Sequence, residues 1–484
     1  MSSSLKETAA KGMAWAIGER LLTQGSLFII SLILARILSP EDYGLLSLLL
    51  VFINLADVLV TNGLGEALIQ RQEPSREDYG TVYVCGLVLS LCLYAILFLA
   101  SDAIAVFYGM ENMSHYLRVL ALRIPFSSLN AIQKAYISKH FLFKKQFIVT
   151  SVSSITSGMI AIVMAIMGFG IYALIAQQLM NVILTSVVMV IQTKWAPAFC
   201  FSKRSFFELV PLGAQYCGAN LINSIYLEGR SLVIGKFYSA ADLAYFNRGN
   251  QFPSLIIGNL NAPISSVMLP VMSEVNADRQ RLKSVLRKSM QLSSFLVFPM
   301  MGILAACGSA LISILLTDKW ADCVPYLQLG CVFYLFQPLQ TMNWQALKAL
   351  GEGKLCFRLE VIKKVICFVL LGASIPFGVF AIAVSSAASG FFSMAVNIAP
   401  MKRLLDYGFG EQVLDIAKPA GITIISYLAM ITVDAFGFST ITTLAVQILI
   451  GCVTYLIGSA LLKVEGLSIV THGMSSFIER KERK

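Results

Sequence analysis

The chain has 484 residues, 57% hydrophobic and only 13% charged, with a mean hydropathy of +0.75, which excludes a soluble globular protein. Its apolar runs are solid blocks of about 20 residues, the length of a bilayer-crossing helix; a membrane barrel would instead alternate over about ten. The formal net charge of +10 leaves open nucleic acid or membrane topology, two readings that the placement of the charges separates.

In chain order, membrane spans are predicted over 13–36, 43–62, 80–100, 116–137, 147–167, 171–192, 207–235 and 243–272. Six more follow at 290–316, 325–347, 363–382, 383–400, 419–436 and 440–462. The fold class is therefore an all-α polytopic membrane protein with about fourteen transmembrane helices. Met1–Lys11 is polar and no cleavage site follows, so no secretory signal is expected. Gly168-Phe169-Gly170, Pro376-Phe377-Gly378 and Gly437-Phe438 pinch hairpins.

The stretch Gly18–Leu45 returns 200 residues later as Gly218–Tyr245, with identities that include Gly18/Gly218, Ser31/Ser231, Ser39/Ser239 and Asp42/Asp242. A repeat at that distance implies an internal duplication. Six spans separate the copies, so both have the same orientation, as parallel repeats do. The parse is two pseudo-symmetric six-helix bundles, 1–200 and 201–404, plus two extra C-terminal helices and a basic tail, 405–484. With a cytoplasmic N-terminus, most Lys and Arg fall on inner segments, and the outer turns hold only Arg36, Arg118, Lys236 and Lys319. The excess charge thus records topology, both termini are expected in the cytoplasm, and no nucleic-acid partner is expected.

Function in such a bundle is sought where polar groups sit in spans despite the cost. In the fourth span, Arg123, Ser127, Asn130 and Lys134 recur on one helical face, with Pro125 inviting a kink. The eighth carries Asn247, Arg248, Asn250, Gln251, Ser254 and Asn261. The seventh carries Asn220, Asn223, Ser224, Glu228 and Arg230. The second holds Asn54, Asp57 and Thr61, and the first Glu19 and Arg20. These groups would line a hydrated, net-positive cavity or bond helix to helix. Glu228 would pair with Arg230 or Lys236. Glu19 and Asp57, the deeper carboxylates, are candidates for ion coupling or for a structural pair with Arg20 or Arg123.

Signals for catalysis are lacking. There is no P-loop, GxSxG or HExxH, and no connection is long enough to hold an acceptor site. The ten cysteines form no CxxC pair and the three histidines are scattered, so no metal and no cofactor are expected.

Ala35-Arg36-Ile37-Leu38-Ser39-Pro40-Glu41-Asp42-Tyr43-Gly44 resembles the LAR-x-L-x-P-x-x-[YF]-G signature of the polysaccharide-transporter family of Wzx-type flippases. Gly63-Leu64-Gly65-Glu66-Ala67-Leu68-Ile69-Gln70-Arg71 is similar to the stretch after that family's second span. The resemblance implies a V-shaped cavity between two bundles in the bacterial inner membrane. It also implies passage of an undecaprenyl-diphosphate-linked oligosaccharide from the inner to the outer leaflet. The signature positions transfer no binding residues, so the site rests on the polar strips. Arg20 and Arg123, with Arg230 or Arg248, are expected to hold the diphosphate. Asn130, Asn220, Asn223, Asn247, Asn250 and Gln251 would meet the glycan, and Glu19 or Asp57 would couple an ion gradient. Membrane lipids and glycan polymerase or assembly proteins are the expected partners of a monomer. The alternatives are a multidrug exporter of the same superfamily, a lipid II flippase, a membrane-embedded polymerase or ligase, and a scaffold.

Overall fold

The structure, a computed structural model, describes residues 3–61, 64–71, 74–110, 112–195 and 197–469; the side chains of 3–17, 20, 21, 64, 66, 70, 212, 215, 216, 219 and 262 are outside the description. The basic tail beyond residue 469 is likewise outside it.

Among the described residues every regular element is a helix. The first unit holds α1 (Ser3–Ile37), α2 (Pro40–Thr61), α3 (Leu64–Gln70), α4 (Arg76–Tyr108), α5 (Met113–Ala121), α6 (Arg123–Lys139), α7 (Phe143–Ile166), α8 (Ile171–Thr193) and α9 (Lys203–Phe237). α10 (Ala240–Glu274) leads into α11 (Arg279–Ala306), α12 (Gly308–Leu316), α13 (Val324–Leu335), α14 (Gln337–Ala349), α15 (Gly353–Ser374), α16 (Val379–Ile398), α17 (Met401–Leu405), α18 (Phe409–Ile431) and α19 (Thr440–Leu461). Nine helices among the described residues are long and apolar enough to cross a membrane. Every predicted span falls on a helix or on a broken pair.

The breaks have chemical causes. The span over 116–137 divides into α5 and α6 at Leu122. Pro125 offers no N–H to the Ala121 carbonyl, and its ring crowds that carbonyl. Two boundaries differ from the sequence expectation. The spans set at 363–382 and 383–400 divide instead at Ile375–Gly378, the hairpin pinch expected at Pro376-Phe377-Gly378, where Pro376 stops the ladder and Gly378 takes φ +97°. The span expected to start at 419 starts at Phe409, since Pro419 is carried inside α18.

The repeated residues build the same device twice. The Ser39 amide donates to Asp42 Oδ2 at 3.3 Å and the Asp42 amide to Ser39 Oγ at 3.2 Å, a reciprocal cap at the start of α2. Ser239 and Asp242 repeat it at 3.2 and 3.1 Å at the start of α10. A β-carbon on Gly44 would lie 1.7 Å from the Ala240 carbonyl oxygen, so no larger residue fits at this close approach.

The packing is that of a protein in lipid. On α7 the buried residues are mostly small or weakly polar: Ser153, Ser154, Ser157, Gly158, Ala161 and Ala165. Val152, Ile155, Met159, Val163 and Ile166 are exposed. On α4, Gly86, Ser90, Ser101 and Ala105 are buried while Val88, Leu91, Ile96, Leu99 and Val106 face outward. Water would reverse this arrangement; a hydrocarbon solvent favours it, because helices gain most by approaching closely through small residues.

Contacts divide the chain into two compact units, 1–244 and 245–484. In the first, α7 packs on α1 and α8, α6 on α2, α4 and α8, and α9 on α2, α3 and α4. In the second, α11 packs on α13, α14, α18 and α19, and α16 on α13, α14 and α15.

Candidate functional site

The polar face of α6 turns toward α2, α3 and α8 and encloses a cavity of about 450 Å³ in the first unit. Asp57 and Thr61 line it from α2, Arg123, Ser127, Asn130 and Lys134 from α6, and Asn181 and Thr185 from α8. Pro125 bears on this geometry: the break it enforces makes Arg123 the first residue of α6.

Arg123 and Asp57 form an ion pair at 3.0 Å, with side chains 14% and 16% exposed. A second guanidinium nitrogen of Arg123 donates to Gln178 Oε1 at 3.1 Å. The third, Nε, is buried without a hydrogen-bond partner among the described residues. Lys134 is exposed at the rim. Two cations against one carboxylate leave the described lining at net +1. The Asn130 amide donates to the Val182 carbonyl at 3.1 Å and accepts from Ser186 at 2.8 Å, so it also ties α6 to α8. Asn181 donates to Ser157 at 3.3 Å.

Of the residues expected at the site, the cavity gathers Asp57, Arg123 and Asn130. Glu19 is half-buried and not among the lining, and the Arg20 side chain lies outside the described residues. Asn220, Asn223 and Arg230 are on α9, away from this lining, with Arg230 at 6.0 Å from the Tyr226 ring. Glu228 accepts from Asn54 at 2.9 Å, and Lys236 donates to the Phe107 carbonyl and lies 4.1 Å from that ring.

In the second unit, Arg248 does not reach for a surface. It is 5% exposed, donates to Gln251 Oε1 at 2.7 Å and lies 5.2 Å from the Trp320 ring. Asn250 donates to the Phe246 carbonyl of its own helix at 2.8 Å, and Asn247 is half-buried. The α8 contribution was missed from sequence, although Gln178, Asn181 and Thr185 recur at i, i+3 and i+7, one helical face. Among the described residues no cluster of His, Cys, Asp and Glu suits a metal ion.

A mostly buried guanidinium with an uncommitted N–H, a lysine at the rim and neutral amides between them have the chemistry to hold an anion that also carries hydroxyl groups. The volume is within the range of small-ligand cavities, roughly 300–1,000 Å³.

Fold and cavity together define an all-helical, polytopic membrane protein with a charged cavity in its first unit. The chain belongs to the family described as polysaccharide biosynthesis protein, whose profile matches residues 33–325. Among relatives, it is 25% identical over 360 residues to the succinoglycan biosynthesis transport protein ExoT of Rhizobium meliloti (strain 1021), covering 74% of this chain and 73% of that one. It is 23% identical over 366 residues to the lipopolysaccharide biosynthesis protein WzxC of Escherichia coli (strain K12), covering 74% of each. Among solved structures, lipid II flippase MurJ in an inward closed conformation superposes with a TM-score of 0.75 at 16% identity, over 94% of this chain and 98% of that one. An inward-facing multidrug resistance MATE family transporter gives 0.59 at 16% identity, over 83% and 98%. At these identities the two structures establish the fold alone.

Proposed function

We propose that this chain is a flippase for an undecaprenyl-diphosphate-linked oligosaccharide repeat unit of the bacterial inner membrane, working by alternating access. The names of its relatives as polysaccharide and lipopolysaccharide biosynthesis proteins support the substrate class. The observation that carries the reading is Arg123, mostly withdrawn into a net-positive cavity with its buried Nε uncommitted. In the resting state Asp57 holds the guanidinium in place. A diphosphate competes for Arg123, with Lys134 and Arg20 as further cations, while Asn130, Asn181 and Thr185 meet sugar hydroxyls. Displaced from its partner, the Asp57 carboxylate becomes free to take up a proton, which couples binding to an ion gradient, with Glu19 as a second acceptor. The prenyl tail stays in lipid.

In this proposal the protein is a non-enzymatic monomer with cytoplasmic termini. Bundles 1–200 and 201–404 rock against each other and 405–484 trails them, with polymerase and assembly proteins nearby. A multidrug exporter of cationic compounds would be served by an acidic cavity, and this one has the opposite balance. The test is transfer of a fluorescent lipid-linked glycan in liposomes. Arg123→Ala should abolish transfer and Arg123→Lys retain part of it; full transfer by Arg123→Ala would remove the anion-binding reading.

A further inference from the structure

A second polar cavity, of about 280 Å³, lies in the second unit where the N-terminal halves of α11 and α18 meet the turn after α19. Its polar side chains are Arg287, Gln291, Asp415, Lys418, Lys463 and Glu465. Part of that charge is already committed. Arg287 pairs with Asp415, which also accepts from the Tyr407 hydroxyl at 2.6 Å. Lys418 donates to the Leu462 carbonyl at 3.2 Å, using one of its three N–H groups.

The remaining groups point to a ligand. Among the described residues the Lys463 ammonium has no hydrogen bond or ion pair, and Glu465 acts on Arg287 only through space. Gln291 is 6% exposed, and its Oε1 is buried with no hydrogen-bond partner. A buried amide oxygen facing a cavity without a donor calls for a donor to fill it. The cavity therefore offers two kinds of open group: ammonium donors from Lys418 and Lys463, and acceptors from Glu465 and Gln291.

We propose that this cavity binds the headgroup of a phospholipid that carries a phosphodiester and a primary ammonium, as phosphatidylethanolamine does. The phosphodiester lies between Lys418 and Lys463, and the ammonium donates to Glu465 and Gln291. The volume is too small for a large ligand and suits a headgroup. α11 and α18 are both long and apolar enough to cross a membrane. The cavity lies near the starts of both helices, where the interface of a bilayer they cross would fall, with exposed Leu414 at its edge.

The test uses the purified full-length protein in detergent, titrated with short-chain phosphatidylethanolamine, phosphatidylcholine, phosphatidylglycerol or inorganic phosphate. Retained lipid is counted by native mass spectrometry and the unfolding midpoint is followed in parallel. Phosphatidylethanolamine should bind one per protein. Phosphatidylcholine, without N–H donors, and phosphatidylglycerol, without an ammonium, should each bind about tenfold more weakly. Gln291→Leu and Glu465→Ala should each weaken the ethanolamine lipid by about tenfold and erase its advantage over choline, whereas Lys463→Ala should weaken both lipids alike. Glu465 is exposed, so its variant serves if Gln291→Leu does not fold. Equal binding of the three lipids, or an ethanolamine preference that survives in Gln291→Leu or Glu465→Ala, overturns the proposal. Inorganic phosphate stabilising as well as the lipid overturns it too, in favour of a simple anion site.

Discussion

The carboxylate of Asp57 on α2 meets the guanidinium of Arg123 on α6 at 3.0 Å, joining two residues that are 66 positions apart in sequence. Both are mostly withdrawn from solvent and line the same cavity. The pair holds Arg123 ready while leaving one of its N–H groups unspent.

Removing one partner of this pair should cost more than removing both. Asp57→Ala leaves a guanidinium uncompensated, for which about 3–5 kcal/mol is the range at buried pairs. Asp57→Ala/Arg123→Ala should recover at least about 1 kcal/mol of that, read as a coupling energy from unfolding in detergent. Additive losses would mean that the two side chains act independently.

Gln178 orients Arg123 from α8 at 3.1 Å. Gln178→Leu should lower glycan transfer by about tenfold, the equivalent of one charged hydrogen bond. Asn130→Leu should act on stability as well as transfer, by about 0.6–2 kcal/mol, because its amide also ties α6 to α8. A thermal-shift measurement beside the transfer assay separates the two effects.

The paired caps should be equivalent. Ser39→Ala and Ser239→Ala should each cost about 0.5–2 kcal/mol. Each should speed hydrogen exchange at its own turn, at the amide of Asp42 or of Asp242, and leave the other turn unchanged.

Gly158 lies under α1, where a β-carbon would come 2.1 Å from Ile30 Cδ1. Gly158→Val should destabilise by about 1–3 kcal/mol through overpacking. Ile30→Ala in the same chain should relieve part of that loss. At Gly44 the obstacle is the Ala240 backbone, so Gly44→Ala should have no such rescue by side-chain trimming.

The helical class, the spans and the repeat were legible in the sequence because each rests on local chemistry. Apolar runs of bilayer length can only be helices in lipid. Ser39 and Asp42 cap α2 through atoms three residues apart, so their recurrence at Ser239 and Asp242 announced the same turn before any packing was known. Pro125 likewise announced a disruption in the fourth span, although the break falls at Leu122, where the carbonyl of Ala121 is crowded. The α6 strip of Arg123, Ser127, Asn130 and Lys134 could be read as one face by periodicity alone.

Which groups that face meets was decided only by tertiary structure. Periodicity gives the angle of a side chain about its own helix and says nothing of the neighbour across from it. The sequence therefore left Asp57 between Arg20 and Arg123, left Arg248 between a cavity and the surface, and passed over Gln178 and Asn181. The fold pairs Asp57 with Arg123 and seals Arg248 against Trp320. It also brings α8 across from α6. Helix formation is fixed by contacts within a few residues, whereas an ion pair in a cavity depends on how far apart separate helices stop, and small residues such as Gly44 and Gly158 set that distance in the packed protein.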